Sequence, residues 1–277
     1  MENEMIKIKR AEQHIILPDS TIKLNDISTS AADHYSLTRK TAEDEFNKLR
    51  KELAELQFRL YAEGKQKLLV VLQALDAGGK DSTIRKVFRG VNPQGVQVTS
   101  FKAPTKEELA HDYLWRIHQH VPAKGMINIF NRSHYEDVLI VRVQNFAPKE
   151  VWHKRFDHIN QFEKLLADTG TKIIKIYLHI SKDEQKERLQ ERLNNPERNW
   201  KFESGDLAQR AKWGEYLEAF EDVFAKCSTE QAPWYVIPAD NKWYRNLAVS
   251  RILVDTLRQM DPQFPLAEEG LENIVIE

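Results

Sequence analysis

The strongest constraint on the fold is a regular alternation between short apolar runs and longer amphipathic segments. The apolar runs have the length of buried strands, and strands are predicted over residues 67–73, 96–101, 126–130, 172–179 and 234–239. Strands that alternate with helices predict an α/β fold, with a parallel sheet covered by helices on both faces. Ligands of such sheets bind at the carboxyl ends of the strands, so a motif that directly follows a strand is a candidate for function.

Apolar residues at helical spacing predict helices beside the strands. Helices are predicted over residues 38–64, 79–89, 105–120, 149–168, 181–193, 207–226 and 242–260. Thr105 with Glu108, and Ser181 with Glu184, match the capping-box pattern of helix starts. The chain is therefore predicted to have an extended N-terminal segment (1–37), one α/β domain (38–260) and an acidic C-terminal tail (261–277).

Composition argues against several classes of protein. The sequence has no apolar run of about 18 residues, which a membrane span needs, and its first residues lack the apolar core of a signal peptide. A single cysteine, Cys227, cannot form an internal disulfide, which favours a cytoplasmic protein with Cys227 as a plain packing residue. Outside the acidic tail the chain has 41 basic and 37 acidic residues. That excess is too small to indicate a nucleic-acid partner, but it permits a local basic groove for an anionic ligand.

A phosphate-loop motif follows the first predicted strand at residues 74–82, ALDAGGKDS. In the usual pattern G-x-x-x-x-G-K-[ST], Gly79 and Lys80 match, whereas Ala74 replaces the first glycine and Asp81 the hydroxyl residue. Small residues let backbone N–H groups surround phosphate oxygens, and the helix N-terminus and Lys80 add positive charge. The candidate phosphate-binding residues are Ala77, Gly78, Gly79, Lys80, Asp81, Ser82 and Arg85.

This motif leaves alternatives open. A glycine pair followed by lysine also occurs in ordinary turns, and only the strand–loop–helix context favours a phosphate site. Asp81 is better explained as a residue that interacts with the helix dipole than as a ligand. For Arg85, a solvated helix face is as good an explanation as a path for anions.

Asp76 is the unusual residue of the loop, because a carboxylate repels phosphate unless a cation lies between them. Mg²⁺ held by one carboxylate and the substrate phosphates meets that need. Asp76 is therefore predicted to bind magnesium and to be catalytic. The alternative is that its side chain only caps the turn.

The segment NRSHYED, residues 131–137, follows the third predicted strand. P-loop enzymes usually carry an acidic metal ligand at this place. Asn131 stands there as a weaker, neutral candidate ligand for the metal, and Arg132 is predicted to contact the transferring phosphates and the nucleotide. Glu136 and Asp137 are candidates for nucleotide binding. The alternative is that they cap the next helix.

The helix predicted after Ser181 carries Arg188 and Arg192 on one face, since they are four residues apart. A mobile helix that presents two arginines to a phosphate chain is typical of a kinase lid, here predicted over about 181–206. The alternative is a charged surface helix, in which Glu184 and Glu187 pair with the arginines.

Several stretches resemble the family-2 polyphosphate kinases, over roughly residues 35–260. They are ALDAGGKDSTIRKVFRGVNPQG, SFKAPTKEELAHDYLWRIHQHVPAKG, IFNRSHYEDVLIVRV, QKERLQERLNNPERNWKFESGDL and APWYVIPADNKWYRNLAVSRIL. The resemblance implies a P-loop kinase with a thymidylate-kinase-like parallel sheet, flanking helices and a helical lid, which uses Mg²⁺. The catalytic residues that it implies are Asp76, Lys80, Arg132, Arg188 and Arg192. Many members have aspartate in place of Asn131, which leaves the second metal ligand open.

The form NRSHYED resembles the subgroup that phosphorylates AMP as well as ADP. The predicted activity is reversible transfer of the terminal phosphoryl group of inorganic polyphosphate to AMP or ADP, giving ADP or ATP, by a homo-oligomer with no membrane partner. One alternative is an ATP-dependent nucleoside monophosphate kinase of the same fold. The other is a non-catalytic polyanion-binding protein, against which Asp76 argues, because a pure binder has no use for an acid among phosphates.

Overall fold

The computed structural model describes residues 13–36, 38–203, 205–271 and 274–276. Residues 1–12 and Leu37 of the predicted N-terminal segment lie outside the described residues. The same holds for Ser204 of the predicted lid and for residues 272, 273 and 277 of the predicted tail.

A six-stranded sheet forms the centre of the molecule, in the order β1-β6-β5-β2-β4-β3. The strands are β1 (Ile15–Ile16), β2 (Lys67–Ala74), β3 (Val96–Ser100), β4 (Ile127–Asn131), β5 (Thr171–His179) and β6 (Trp234–Pro238). Strands β2 to β6 are parallel to their neighbours, and β1 pairs with β6 in the antiparallel sense. The parallel α/β fold expected from the alternating pattern is thus confirmed.

Strand β2 lies between β4 and β5, with Leu68 opposite both Ile127 and Lys172. Its residues after Lys67 are all buried, because helices cover both faces of the sheet. From β2 the chain goes to β3 at one edge, returns to β4, and then crosses to β5 on the other side of β2. The loop after β2 therefore lies where the strand order reverses, which is the usual ligand site of such sheets.

The α-helices of the described residues surround this sheet. They are α1 (Arg39–Glu63), α2 (Lys80–Val87), α3 (Lys106–Ala110), α4 (Trp115–His118), α5 (Ile140–Val143), α6 (Lys149–Trp152), α7 (Arg155–Asp168), α8 (Lys182–Asn194), α9 (Gly205–Ala211), α10 (Trp213–Cys227) and α11 (Lys242–Met260). Short 3₁₀ turns occur at Leu24–Asp26, Ala31–Asp33, Pro93–Gly95, His134–Asp137 and Asn199–Lys201.

Two apolar layers cover the sheet. Helices α1, α2 and α11 pack on one face, where Leu53 and Leu253 meet Val70 of β2 in one buried cluster. Helices α7 and α10 pack on the other face, where Phe156 and Phe224 join Val71 of the same strand. Alternate residues of β2 thus point into opposite layers, as the pleat requires.

Three predicted helices are interrupted in the structure. The helix expected over 105–120 ends at Ala110, because the Asp112 carboxylate accepts hydrogen bonds from the N–H groups of Leu114 and Trp115 and starts a new turn. The helix expected over 149–168 divides into α6 and α7, with a turn at His153. The helix expected over 207–226 divides at Lys212, whose ammonium group donates to the Val143 carbonyl 2.8 Å away. The predictions of single helices were wrong at these three places. At Asp112 a carboxylate competes locally for backbone N–H groups, and at Lys212 a carbonyl distant in the chain binds the side chain.

Only one of the two predicted capping boxes forms. Thr105 and Glu108 cap α3 reciprocally. At the start of α8 the Ser181 hydroxyl accepts from the Glu184 N–H at 3.1 Å, but the Ser181 N–H donates to the Asp240 carboxylate instead. The Glu184 carboxylate is thereby free to bind Arg188.

The two terminal segments contact the domain. Ile15 and Ile16 add the edge strand β1, which was not predicted from the sequence. In the tail, the Phe264 ring lies 5.9 Å from the Phe58 ring of α1, centroid to centroid. No helix among the described residues has the length and apolarity that crossing a bilayer requires.

Candidate active site

The loop between β2 and α2 has an unusual backbone. Ala77 and Gly79 have φ angles of 58° and 100°, in the left-handed region that favours glycine. A Cβ added to Gly78 would lie 2.5 Å from the Ala74 Cβ and 2.8 Å from the Leu75 carbonyl oxygen. Since Ala74 replaces the usual first glycine, its methyl group takes the available space, and position 78 must be glycine.

The start of α2 offers donors to an anion. Gly79 gives no side-chain cap, and the N–H groups of Lys80, Asp81 and Ser82 lie in the first turn, where a helix has no carbonyl partner for them. The Lys80 ammonium group donates to the Ala74 carbonyl at 2.9 Å, across the same loop. Burial, and next the nearby Arg132, lower the pKa of Lys80. The N–H groups of Lys80, Asp81 and Ser82 and the Lys80 ammonium group together form a cradle with the chemistry of a phosphate site.

The Asp76 carboxylate lies in this cradle with one oxygen paired and one unpaired. Its Oδ1 accepts from Arg132 Nη2 at 3.1 Å, whereas Oδ2 is buried with no hydrogen-bond partner among the described residues. The Asp76 carbonyl accepts from the Gln185 amide at 2.9 Å, which holds the loop against α8. A buried unpaired carboxylate oxygen suits a hard divalent cation.

Protein side chains alone do not form a complete metal site. Within the part of the chain that the structure describes, no group of three His, Cys, Asp or Glu side chains could hold a metal ion. A cation bound at Asp76 would therefore take most of its ligands from phosphate oxygens and water. Magnesium in phosphoryl-transfer sites is bound in this way, so the residues present fit that ion.

Asn131, the other candidate metal ligand, lies at the end of β4 and faces α2. Its amide donates to Asp81 Oδ1 at 2.8 Å and to the Ser100 hydroxyl at 3.3 Å. The ammonium group of Lys201 reaches the other Asp81 oxygen at 3.2 Å. Although burial alone would raise the pKa of Asp81, these two hydrogen bonds hold it below its ordinary value. Asp81 thus connects the end of β4, the phosphate loop and the segment predicted as a lid.

Arg132 has a left-handed backbone, with a φ of 63°, and its N–H donates to the Leu72 carbonyl of β2 at 3.1 Å. A non-glycine residue in this conformation is strained, and such residues cluster at functional sites. Its guanidinium lies against Asp76. Burial would lower the pKa of Arg132, but the charges of Glu136 and Asp76 raise it, so the group remains a full positive charge beside the cradle.

The structure separates Glu136 from Asp137. Asp137 Oδ1 accepts from Arg155 at 2.8 Å, and burial raises the pKa of this carboxyl to about 6. Glu136 lies within electrostatic reach of both Lys80 and Arg132. Of the two acids predicted at the nucleotide site, Glu136 is therefore the one near the cradle, and Asp137 is tied to α7.

A buried polar network supports the segment that carries Arg132. The Glu163 carboxylate accepts from Lys175 at 2.6 Å and from the Tyr135 hydroxyl at 2.8 Å, and it contacts the His134 ring at 3.1 Å. Burial would raise the pKa of Glu163, but Lys175 and His134 hold it low. The network fixes the 3₁₀ turn that follows Arg132 to β5 and α7.

The two arginines of α8 differ in their surroundings. Arg188 is buried, and its five donors are all used: they bind the carbonyls of Ala77, Gly78, Ala239 and Asp240 and the carboxylate of Glu184. Arg188 thus braces the phosphate loop from behind instead of projecting into the cradle. The alternative of a charged surface helix predicted that Glu184 pairs with an arginine, and it does bind Arg188. Arg188 itself, however, is buried and not a surface residue.

Arg192, one turn later, remains partly exposed. Its Nη1 lies 3.4 Å from both the Asp206 carboxylate and the Lys201 carbonyl. Burial, and next the charge of Asp76, raise the pKa of Asp206. Asp206 is therefore within electrostatic reach of the cradle as well. Arg192 is thus the arginine of α8 that can turn from its own segment towards a bound phosphate chain. Arg85 is exposed on α2, one turn beyond the cradle.

Sequence reasoning missed four residues at this site. They are Gln185, Lys201, Tyr216 and Arg245. One feature of the sequence could have identified Arg245: it is a charged residue between Tyr244 and Leu247, on the apolar side of a predicted helix. Besides the adjacent Asn246, its partner is Ser82 of α2, more than 160 positions earlier, which no pattern in the sequence identifies.

Comparisons with known proteins indicate one family. The model of a family described as Polyphosphate kinase 2 (PPK2) matches residues 36–265. The AMP/ADP-polyphosphate phosphotransferase of Meiothermus ruber is 55% identical over 266 residues, covering 96% of this chain and 100% of the relative. The ADP-polyphosphate phosphotransferase of Rhodopseudomonas palustris is 44% identical over 226 residues, covering 77% of this chain and 78% of that protein. The crystal structure of polyphosphate kinase 2 from Arthrobacter aurescens TC1 has a TM-score of 0.89 and 43% identity, covering 93% of each chain.

Proposed function

This chain belongs to the polyphosphate kinase 2 family, and from that premise we propose that it transfers the terminal phosphoryl group of inorganic polyphosphate to AMP and to ADP, reversibly. One observation carries the proposal: a phosphate loop contains an aspartate, Asp76, with a buried unpaired oxygen. A cradle of N–H groups needs an acid only if a cation joins it to the phosphates. The resemblance to the AMP/ADP-polyphosphate phosphotransferase of M. ruber supports the choice of acceptors.

The roles of the residues follow from their positions. The N–H groups of Lys80, Asp81 and Ser82 and the Lys80 ammonium group bind the phosphate chain, since a phosphate oxygen is a better acceptor than the Ala74 carbonyl that Lys80 now contacts. Arg132 and Arg192 neutralise charge on the transferring group. No general base is needed, because the attacking phosphate oxygen of AMP or ADP is already ionised. Catalysis is then mainly positioning and charge neutralisation.

Magnesium is the cofactor of this proposal, held by Asp76 with Asn131 as a weaker second ligand. When bound, Mg²⁺ neutralises the charge that develops on the phosphoryl oxygens. Chelation should abolish turnover and added magnesium should restore it. Turnover that persists in the presence of excess chelator contradicts a metal-dependent mechanism.

The lid is proposed to comprise α8 and the following residues to about 206. Gln185 and Arg188 of α8 anchor its first part to carbonyls of the phosphate loop. The part after α8 contacts the cradle through the Lys201–Asp81 pair at 3.2 Å, in which both side chains are exposed. Exposed pairs of this kind contribute little to stability, so the contact can open and close readily. Closure over bound substrates excludes water and limits hydrolysis of polyphosphate.

The experiment that tests the function supplies purified protein with magnesium, long-chain polyphosphate and AMP alone. We expect ADP to form first and ATP later. ADP without later ATP, or no product, contradicts the use of both acceptors. The rival activity gives a different result, because an ATP-dependent monophosphate kinase converts AMP and ATP to ADP without polyphosphate. A non-catalytic binder turns over neither mixture.

Glu136 is proposed to influence the choice between AMP and ADP, because it is the acid near the cradle. Glu136→Gln should change the ratio of kcat/KM for AMP to that for ADP. Asp137→Asn is the matched control, since Asp137 is bound to Arg155, and it should affect both acceptors equally. Equal effects of Glu136→Gln on both acceptors would assign Glu136 to the scaffold.

Location and assembly are further parts of the proposal. A single buried cysteine needs no oxidising compartment, which supports the cytoplasm. Apolar side chains exposed along α1 and the tail, Phe58, Phe264 and Leu266 among them, support a homo-oligomer. Light scattering of the purified protein tests the assembly, and the mass of a single chain contradicts it.

A further inference from the structure

Arg245, near the start of α11, buries its guanidinium directly behind the phosphate loop. Only 1% of the residue is exposed. Its Nη2 donates to the Ser82 hydroxyl at 3.1 Å, and that hydroxyl donates to the Gly79 carbonyl at 2.9 Å. Nη2 and Nε also donate to the Asn246 amide oxygen, at 3.0 and 3.3 Å. A Cβ added to Gly79 would lie 2.1 Å from Arg245 Nη1. Only glycine therefore lets the guanidinium approach the loop so closely.

The charge of Arg245 is not balanced by a carboxylate. Its Nη1 is buried without a hydrogen-bond partner in the described part of the chain. Two charged groups affect its pKa: Arg188, which is also positive, and Glu184, whose carboxylate binds Arg188. Burial, and next the charge of Arg188, lower the pKa of Arg245 to about 9. The one acid that acts on Arg245 is thus already paired with another arginine.

Arginines with a purely structural role in this protein look different. Arg188 uses all five donors. Arg251, two turns further along α11, holds both oxygens of Glu45 at 2.8 Å. An arginine that is buried but incompletely paired is unfavourable for a protein without ligand. A bound anion that supplies the missing negative charge would explain why an arginine occupies this buried position.

We propose that Arg245 is a positioning residue for the phosphoryl donor: it holds the turn from Gly79 to Ser82 through the Ser82 hydroxyl and supplies positive charge behind the cradle. The ligand whose charge it balances is a condensed phosphate chain, on the other side of the loop backbone. In the buried interior this attraction is weakly screened. The inference rests on the proposed function, because it takes polyphosphate as the anion in the cradle.

The test compares Arg245→Met and Arg245→Lys with Arg251→Met as the matched control on the same helix. The affinity for inorganic tripolyphosphate is measured by calorimetry with magnesium and without nucleotide. The melting temperature of each ligand-free protein and the KM values for polyphosphate and for ADP are also measured. We expect Arg245→Met to weaken tripolyphosphate binding about tenfold or more, to raise KM for polyphosphate, and to leave KM for ADP unchanged.

The melting temperatures separate this role from a structural one. Arg245→Met should melt at or above the wild-type temperature, because it removes a buried unpaired charge. Arg245→Lys should bind tripolyphosphate with intermediate affinity, since it keeps the charge and loses the geometry. Arg251→Met should melt lower, because it removes two hydrogen bonds to the Glu45 carboxylate, and should bind tripolyphosphate as the wild type does.

Opposite results overturn the inference. An Arg245→Met protein that fails to fold, or melts lower while binding tripolyphosphate normally, assigns Arg245 to the scaffold. An equal loss in both KM values contradicts a role specific to the donor. If the wild type neither binds tripolyphosphate nor turns over polyphosphate, the proposed function fails. If it does both and Arg245→Met keeps its affinity, only this inference fails.

Discussion

At the scale of single residues, the unpaired oxygen of Asp76 is the feature from which the chemistry follows. Asp76→Asn keeps the shape of the side chain and removes the charge that a cation needs. We expect kcat to fall by orders of magnitude, while the melting temperature stays close to that of the wild type. A lost transition-state contact of about 3 kcal/mol corresponds to roughly a hundredfold in rate.

Steady-state kinetics at saturating magnesium, together with thermal denaturation, check this prediction. Lys80→Ala, Arg132→Ala and Arg192→Ala should lower kcat/KM by similar factors, because each removes a positive charge from the phosphate path. Lys164→Ala is the control, since Lys164 is exposed and pairs with Asp168 at the end of α7. A near-normal kcat for Asp76→Asn would rule out its metal-binding role.

A second prediction for a single residue concerns Asp137 and the dependence of the free energy of unfolding on pH. Burial outweighs the attraction of Arg155 and raises the pKa of Asp137 to about 6, whereas the unfolded chain has an ordinary value near 3.8. Between these values the folded protein keeps a proton that the unfolded chain releases. The contribution of Asp137 to the free energy of unfolding therefore decreases as pH rises from about 4 to 6.

Urea denaturation of the wild type and of Asp137→Asn at pH 4.5 and pH 7 isolates this contribution, because all other groups titrate alike in both proteins. A shift of about two pKa units corresponds to roughly 3 kcal/mol at most. The wild type should lose stability relative to Asp137→Asn as pH rises. Parallel stability curves for the two proteins would show that Arg155 compensates the burial fully.

At the scale of elements, helix α8 places two arginines four residues apart in different environments. Arg188 satisfies carbonyls of the phosphate loop and of the segment after β6, so Arg188→Ala leaves several buried acceptors unpaired. We expect that variant to lose about 3 kcal/mol or more of stability together with activity. Arg192→Ala should keep its melting temperature and lose only kcat/KM.

Thermal denaturation beside kinetics separates the two arginines. The spacing of four residues predicts one shared face and therefore equal roles for Arg188 and Arg192, whereas their contacts predict different effects on stability. If Arg188→Ala melts like the wild type and loses activity alone, then Arg188 contacts substrate and its contacts with the loop carbonyls are secondary.

At the scale of the whole molecule, the active segment after β4 depends on the core. Lys175 of β5 and Glu163 of α7 form a buried pair beneath it, at 2.6 Å, and Lys175 also donates to the Cys227 carbonyl. Lys175→Met leaves the Glu163 charge without its main partner. We expect a loss of about 3–5 kcal/mol in the free energy of unfolding.

The double variant Lys175→Met/Glu163→Gln should recover part of that loss, because it removes both charges together. Urea denaturation measures the stabilities. Reaction of the Cys227 thiol, which is buried with a pKa raised by that burial to about 12, gives a second measure of opening. Equal stability of the single and the double variant would show that the Lys175–Glu163 pair contributes no coupling energy.

Several elements could be predicted from the sequence because they depend on residues that are neighbours in the chain. Helix α1 begins after Thr38 and ends at Gly64 because one supplies a cap and the other a left-handed terminus, and both signals are local. The apolar run of β2 and the motif that follows it predict a phosphate loop at a strand end, and the parallel sheet puts that loop at the reversal of strand order. Local spacing was sufficient for these features.

Which side chains meet depends on contacts between elements that are distant in the chain. Glu136 and Asp137 are adjacent in sequence, yet Arg155 of α7 takes one of them away from the cradle. Arg188 and Arg192 share a spacing but not a role, and Arg245 reaches the loop from the last helix of the domain. The physical reason is the same in each case. A buried charge is placed by the partners that satisfy it, and those partners come from elements distant in the chain.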